Sequence, residues 1–72
     1  MTEKEKLELM ADVLDMDVVN ISPSMKLSDI DAWDSVAALA FIAMMDEKFK
    51  KIMKGSELKT FETIQDALNV MQ

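Results

Sequence analysis

The chain has no cysteine and no histidine, and only one glycine, one proline and one tryptophan in 72 residues. Without cysteine there is no disulfide and no thiolate metal site. Without histidine the commonest general base and metal ligand is missing, so neither a Ser–His nor a Cys–His pair can be built. No catalytic residue and no metal ligand is expected. No apolar run is long enough to span a membrane. The opening residues Met1-Thr2-Glu3-Lys4-Glu5-Lys6 are charged, with no apolar signal region after them, and the expectation is a cytoplasmic protein without membrane insertion. Positive charge is also scarce. The net charge is −6, which argues against nucleic acid, whose binding needs a cationic footprint, and favours partners with basic patches. A chain this short makes one small domain with a modest core. Residues 1–72 read as a single domain, without repeats or low-complexity segments, and as a monomer.

What is present is helical periodicity. Thr2-Glu3-Lys4-Glu5 has the capping-box pattern, and Leu7, Met10, Ala11 and Leu14 follow at helical spacing, so the first helix is predicted over 3–15. No glycine ends it. Asp15, Asp17 and Asn20 are the expected terminators, because short polar side chains compete for nearby backbone groups. Residues 16–33 form a long connection in which Ser22-Pro23-Ser24 disfavours helix. Val18, Ile21, Met25, Leu27, Ile30 and Trp33 recur through it, so it is expected to lie across the helices, anchored by Leu27 and Ile30, with a short helical turn at 26–31.

The second helix is predicted from Ser35 to Lys50. On a helical wheel one arc holds Ala38, Phe41, Ile42, Met45 and Phe49, the expected core face. With Phe49 fully buried there, Phe49→Ala would cost about 3–5 kcal/mol. The opposite arc holds Val36, Leu39, Ala40 and Ala43, with Asp46 and Glu47 beyond them. It is apolar but mostly small. Either the long connection covers it or part of it stays exposed as a contact patch, which is the reading preferred here. Lys48, Lys50, Lys51 and Lys54 suit the negative end of this helix's dipole. Gly55 is expected to break the chain direction, and 56–59 to form one short turn. Thr60 is the expected N-cap of a last helix over 61–71, with Phe61, Ile64, Ala67, Leu68 and Met71 on one face. Most of the eight methionines fall at apolar positions and are expected to fill the core.

Asp34-Ser35 is the chemically suggestive pair. Asp34 is a good N-cap. Ser35 then stands at the first helical position, where unpaired N–H groups and the positive end of the dipole favour a phosphate. Ser22, Ser24, Ser28 and Ser56 lack that context and are expected to form turns or caps. Trp33 is expected to pack as an anchor that closes the long connection over the bundle.

Together these residues resemble the acyl carrier protein family, including its peptidyl and D-alanyl carrier branches. Leu27, Asp31, Asp34-Ser35-Val36, Asp46-Glu47-Lys48-Phe49, Met53 and Phe61-Glu62-Thr63-Ile64-Gln65-Asp66-Ala67-Leu68 stand at the spacing of the family's Leu…Asp-Ser-Leu…Glu-Glu-x-Phe…Thr-Val-Gln-Asp pattern. The likeness runs from the first helix to the end of the chain. It implies an all-α four-helix bundle, with three main helices, a short third helix and a long loop between helices 1 and 2. It implies that Ser35 carries 4′-phosphopantetheine from coenzyme A, attached by a phosphopantetheinyl transferase using Mg²⁺, with Asp34 capping the helix and helping to place that transferase's metal. The arm would bear acyl or aminoacyl groups as thioesters, in fatty acid, polyketide or specialised acyl biosynthesis. The protein would not be an enzyme itself. An acyl- or aminoacyl-loading ligase and acyl-processing enzymes or transferases would be its further partners. Val36, Leu39, Ala40, Ala43, Asp46 and Glu47 would form the partner surface. Two departures stand out. Ala37 and Ala40 occupy places where typical fatty-acid carriers present acids, and Trp33 replaces the usual small residue before Asp-Ser, as in carriers outside mainstream fatty-acid synthesis. The competing reading, from a different class, is a small helical interaction module, never modified, that binds through the apolar arc of the second helix.

Overall fold

The computed structural model describes residues 1–72 and is all-helical. Helix α1 spans Glu3–Leu14, α2 Ser35–Phe49, α3 Gly55–Leu58 and α4 Ile64–Asn69, and single 3₁₀ turns lie at Val18–Asn20 and Leu27–Asp29. No helix is long and apolar enough to cross a membrane. Asp12 and Val13 of α1 share a groove with Ala40 of α2, whereas Glu5 and Glu8 share one with Lys48. The two long helices therefore run antiparallel.

The starts of α1, α2 and α4 each have a side-chain cap. The Thr2–Glu5 capping box forms: Glu5 N–H donates to Thr2 Oγ1 at 3.2 Å and Thr2 N–H donates to Glu5 Oε1 at 3.0 Å. The Thr2 contacts, backbone first, hold the Glu5 carboxyl below its usual range. The stops are less usual. Asp15 (φ 55°) and Lys50 (φ 54°) adopt the left-handed conformation in which glycine is the common choice. Beyond Asp15 the Met16 N–H reaches Ala11 O at 3.0 Å, and beyond Lys50 the Lys51 N–H reaches Met45 O at 3.2 Å, so carbonyls in the last turn of each helix gain partners. Asp15 thus ends α1 as expected, one residue early. Lys51 also donates from Nζ to Val70 O at 3.0 Å, tying the segment after α2 to the end of α4.

The core contains fifteen residues, all apolar, with no buried polar side chain. Met10, Ala11 and Leu14 of α1 meet Phe41 and Met45 of α2 and Ile64, Ala67 and Leu68 of α4 in one cluster. Met10, Met45, Met53 and Met71 belong to it, filling irregular space as an unbranched side chain can. On α2 the inward axis is Ala37, Phe41 and Met45, at spacing four, whereas Ala38, Ile42 and Phe49 are only half-buried. Two expectations are corrected here. Ala37, aligned with a place where typical fatty-acid carriers present an acid, is core at 5% exposure, and Phe49 is not fully buried. The wheel was centred on the heaviest side chains, which turned its axis toward the α3 side by about one residue.

The last helix is also shorter than periodicity suggested. It begins at Ile64, not 61, and its N-cap is Thr63, not Thr60. Asp66 Oδ2 accepts from Glu62 N–H (2.8 Å) and Thr63 N–H (3.1 Å), and Asp66 N–H donates to Thr63 Oγ1 (3.4 Å). The Glu62 bond first, then the Thr63 bond, holds the Asp66 carboxyl below its ordinary range. Thr60 instead donates its hydroxyl to Glu57 O at 2.7 Å, closing the turn after α3. Met71 is buried beyond the end of α4. Gly55 is the first residue of α3, with Lys54 rather than Ser56 as the cap.

The long connection is fastened by main-chain bonds to the start of α4. Leu27 N–H donates to Glu62 O (2.9 Å), Ile64 N–H to Met25 O (3.0 Å) and Gln65 N–H to Pro23 O (2.8 Å). Lys26 and Thr63 form an isolated antiparallel bridge. Leu27 and Ile30 are buried, as expected. The turn predicted at 26–31 is the 3₁₀ turn Leu27–Asp29, while the turn at Val18–Asn20, capped by Asp17 Oδ1 on Val19 N–H (3.2 Å), was unforeseen.

Candidate functional site

The end of the long connection places Ser35. Ile30 is buried, Trp33 N–H donates to Ile30 O at 3.0 Å, and Asp34 N–H donates to Ala32 O at 3.1 Å. The Trp33 ring then meets Phe41 edge-on, and Phe41 meets Phe61 in the same manner at 5.7 Å between centroids. This row runs from the residue two before Ser35 through the centre of the core to the segment before α4. Trp33 is the packing anchor its size suggested.

Asp34 caps α2 through two groups. Its Oδ1 accepts from Ala37 N–H at 2.9 Å and its carbonyl accepts from Ala38 N–H at 2.9 Å. Of the first-turn donors, Ser35 N–H and Val36 N–H are left without a main-chain acceptor, and they open at the positive end of a fifteen-residue helix. Ser35 itself is exposed. The hydroxyl is therefore reachable, its helix is pinned, and the nearest field favours an anionic substituent.

The exposed face of α2 divides into two stripes. Val36 (72% exposed) and Leu39 (67%) stand in solvent, as do Ala40, Ala43, Asp46 and Glu47. The long connection leaves this arc uncovered. Of the named partner residues, however, Leu39 turns toward α3, whereas Ala40, Ala43 and Glu47 turn toward α1. On the α3 side an open groove of about 380 Å³ starts at Ser35 and Trp33 and continues past Ala38, Leu39 and Ile42 to Gly55, Leu58 and Lys59. Ser35, Ala38, Leu39 and Ile42 follow the i, i+3, i+4, i+7 spacing of one helix face. That spacing was a legible signal for Ala38 and Ile42. Leu58 ends a four-residue helix with little periodicity of its own and Lys59 follows it, and nothing local marks them. A Cβ built on Gly55 meets nothing within 4 Å, so the groove has free space at that wall.

No group of three or more carboxylates is placed to hold a metal ion. The features that fit a phosphate-linked arm are the exposed hydroxyl, the two free N–H groups beside it and an apolar groove leading away from it.

A family model described as "Phosphopantetheine attachment site" matches residues 7–70, nearly the whole chain. No curated protein and no solved structure gives a significant match.

Proposed function

Because the chain belongs to the phosphopantetheine attachment family, whose members carry covalently attached 4′-phosphopantetheine, we propose that Ser35 is the attachment residue and that the protein carries acyl or aminoacyl groups as thioesters between partner enzymes. The observation that carries the reading is the exposed Ser35 hydroxyl at the capped start of α2, beside an apolar groove. The arm supplies the reactive thiol, which a chain without cysteine cannot provide. Asp34 caps the first turn of α2 that presents Ser35, and in this reading its carboxylate also helps to place the transferase's Mg²⁺ during loading. The N–H groups of Ser35 and Val36 favour the phosphodiester once it is made. The flexible arm raises the effective concentration of the cargo at each partner's site.

Val36, Leu39, Ala40, Ala43, Asp46 and Glu47 are the proposed partner surface, and their exposure supports that role. Ala40 and Ala43 make this surface less charged than an acidic α2 face, so recognition leans on apolar contact. The apolar groove supports acyl cargo in fatty acid, polyketide or specialised biosynthesis. Co-expression with a broad-specificity phosphopantetheinyl transferase followed by intact mass is the test. One added phosphopantetheine that disappears in Ser35→Ala is the expected result. A chain that stays unmodified, or a modification that survives Ser35→Ala, overturns the assignment and favours the unmodified interaction module.

A further inference from the structure

The second stripe of α2 borders a different groove. Ala40, Ala43 and Glu47, with Leu9, Asp12 and Val13 of α1, line an open channel of about 320 Å³. Leu9, Asp12 and Lys48 also line a neighbouring depression that reaches Glu5 and Glu8, so the two join along the α1–α2 seam. The floor is apolar. Leu9, Val13 and Met44 are half-buried, and Ala40 and Ala43 are exposed. Unlike Val13 and Met44, Leu9 does not pack against the core cluster. It lies off the Leu7, Met10, Ala11, Leu14 stripe, and its side chain borders the channel.

The rim is predominantly acidic. Glu5, Glu8, Asp12 and Glu47 stand against two cations, Lys48 and the Met1 α-ammonium, a local net charge of −2 (4 acids less 2 cations). The acids absent from Ala40 and Ala43 on α2 are thus supplied from α1, across a strip of small side chains that lets another backbone approach closely. The interior main-chain groups of both long helices are bonded within their own helices, so the seam offers no sheet edge to an extended peptide. A helix, which satisfies its own backbone, suits such a groove.

We infer that the α1–α2 channel docks a cationic amphipathic helix of a partner protein. Aliphatic side chains of that helix enter between Leu9, Ala40 and Ala43, and its lysines or arginines flank Glu8, Asp12 and Glu47. Charge complementarity selects the partner and sets its orientation, while the apolar floor excludes water from the contact. The contact does not depend on modification of Ser35, so its failure and the failure of the carrier reading are separate results.

The test is an NMR titration of the ¹⁵N-labelled unmodified chain with a short synthetic helix that has leucines on one face and lysines on the other. Amide shifts are expected to cluster at Leu9, Val13, Ala40 and Ala43. Asp12→Lys combined with Glu47→Lys is expected to weaken binding about tenfold or more. Asp29→Lys combined with Glu57→Lys, the same change in net charge away from the channel, is expected to leave affinity within about twofold. Leu9→Asn, at a half-buried floor position outside the core cluster, should also weaken binding. Shifts centred on Val36 and Leu39, equal losses for the two charge-reversal pairs, or no binding would each overturn the inference.

Discussion

The indole of Trp33 meets the ring of Phe41 edge-on, with centroids 6.1 Å apart and planes at 85°. Phe41 is fully buried and Trp33 half-buried, so the core reaches within two residues of Ser35. Edge-to-face pairs add about 0.5–1.5 kcal/mol to what burial contributes. Trp33→Ala should therefore lower stability by about 2 kcal/mol, between a surface and a full core truncation. Urea unfolding followed by circular dichroism measures it, since the mutation removes the only tryptophan. A loss below about 0.5 kcal/mol would mean that the indole does not anchor the long connection.

Phe41 and Phe49 should separate clearly. Phe41→Ala removes a fully buried ring in contact with two other aromatics and should cost about 3–5 kcal/mol. A domain of this size has about 4–11 kcal/mol in all, so that variant will be close to unfolding. Phe49 is half-buried at the end of α2, and Phe49→Ala should cost about 1–2 kcal/mol. Equal losses would contradict the inward axis through Ala37, Phe41 and Met45.

Lys50 ends α2 at φ 54°, where its Cβ crowds the following carbonyl. Lys50→Gly should raise stability by about 1 kcal/mol, visible as a higher urea midpoint at unchanged m. No gain would mean that the Lys50 side chain contributes enough by packing or charge to offset the strain.

Asp34 allows capping and charge to be told apart. Asparagine caps as well as aspartate, so Asp34→Asn should leave stability within a few tenths of a kcal/mol, whereas Asp34→Ala should cost about 1 kcal/mol. If the carboxylate also serves the transferase's metal, Asp34→Asn will slow loading of Ser35 in an intact-mass time course. Loading at the unmodified rate would leave Asp34 the cap alone.

Asp66 makes the acid limb of stability specific. Its carboxyl is ionised to lower pH in the folded chain than in the unfolded one, because the N–H groups of Glu62 and Thr63 donate to it. As pH falls, the unfolded state binds the proton first. The contribution is therefore complete above the ordinary value of 3.8 and is lost as pH drops below it through the folded value. Asp66→Asn should be less stable than the parent at neutral pH, and the difference should shrink toward pH 3. Parallel curves in thermal melts across that range would show that the carboxylate bonds do not contribute.

Much of this fold could be read from residue order. The Thr2–Glu5 box and the Leu7 to Leu14 spacing placed α1, and Asp34 before a long apolar stretch placed α2 and singled out Ser35. Two local signals run against apolar periodicity. Thr63-Ile64-Gln65-Asp66 is itself a capping pattern, and it outweighs the apolar Phe61 that drew the last helix three residues too early. Ala37 contributes little weight to a wheel, although a small side chain is what lets helices approach. The bonds between residues 23–27 and 62–65 had no local signal, since they join backbone groups far apart in the chain. The grooves beside α2 were illegible for the same reason. Each needs a second helix, and the sequence fixes which side chains α2 exposes without naming the neighbour they face.

Those backbone bonds also set an order of events during synthesis. Pro23 O, Met25 O and Leu27 N–H lack these partners until Gln65, Ile64 and Glu62 have been made. At about 5–20 residues per second, the gap between them is about 2–8 s of translation. Through that interval the stretch leading to Ser35 lacks its far clamp. The serine is thus made well before the segment that clamps its approach, and it is held in its final setting only once residues 62–65 have followed.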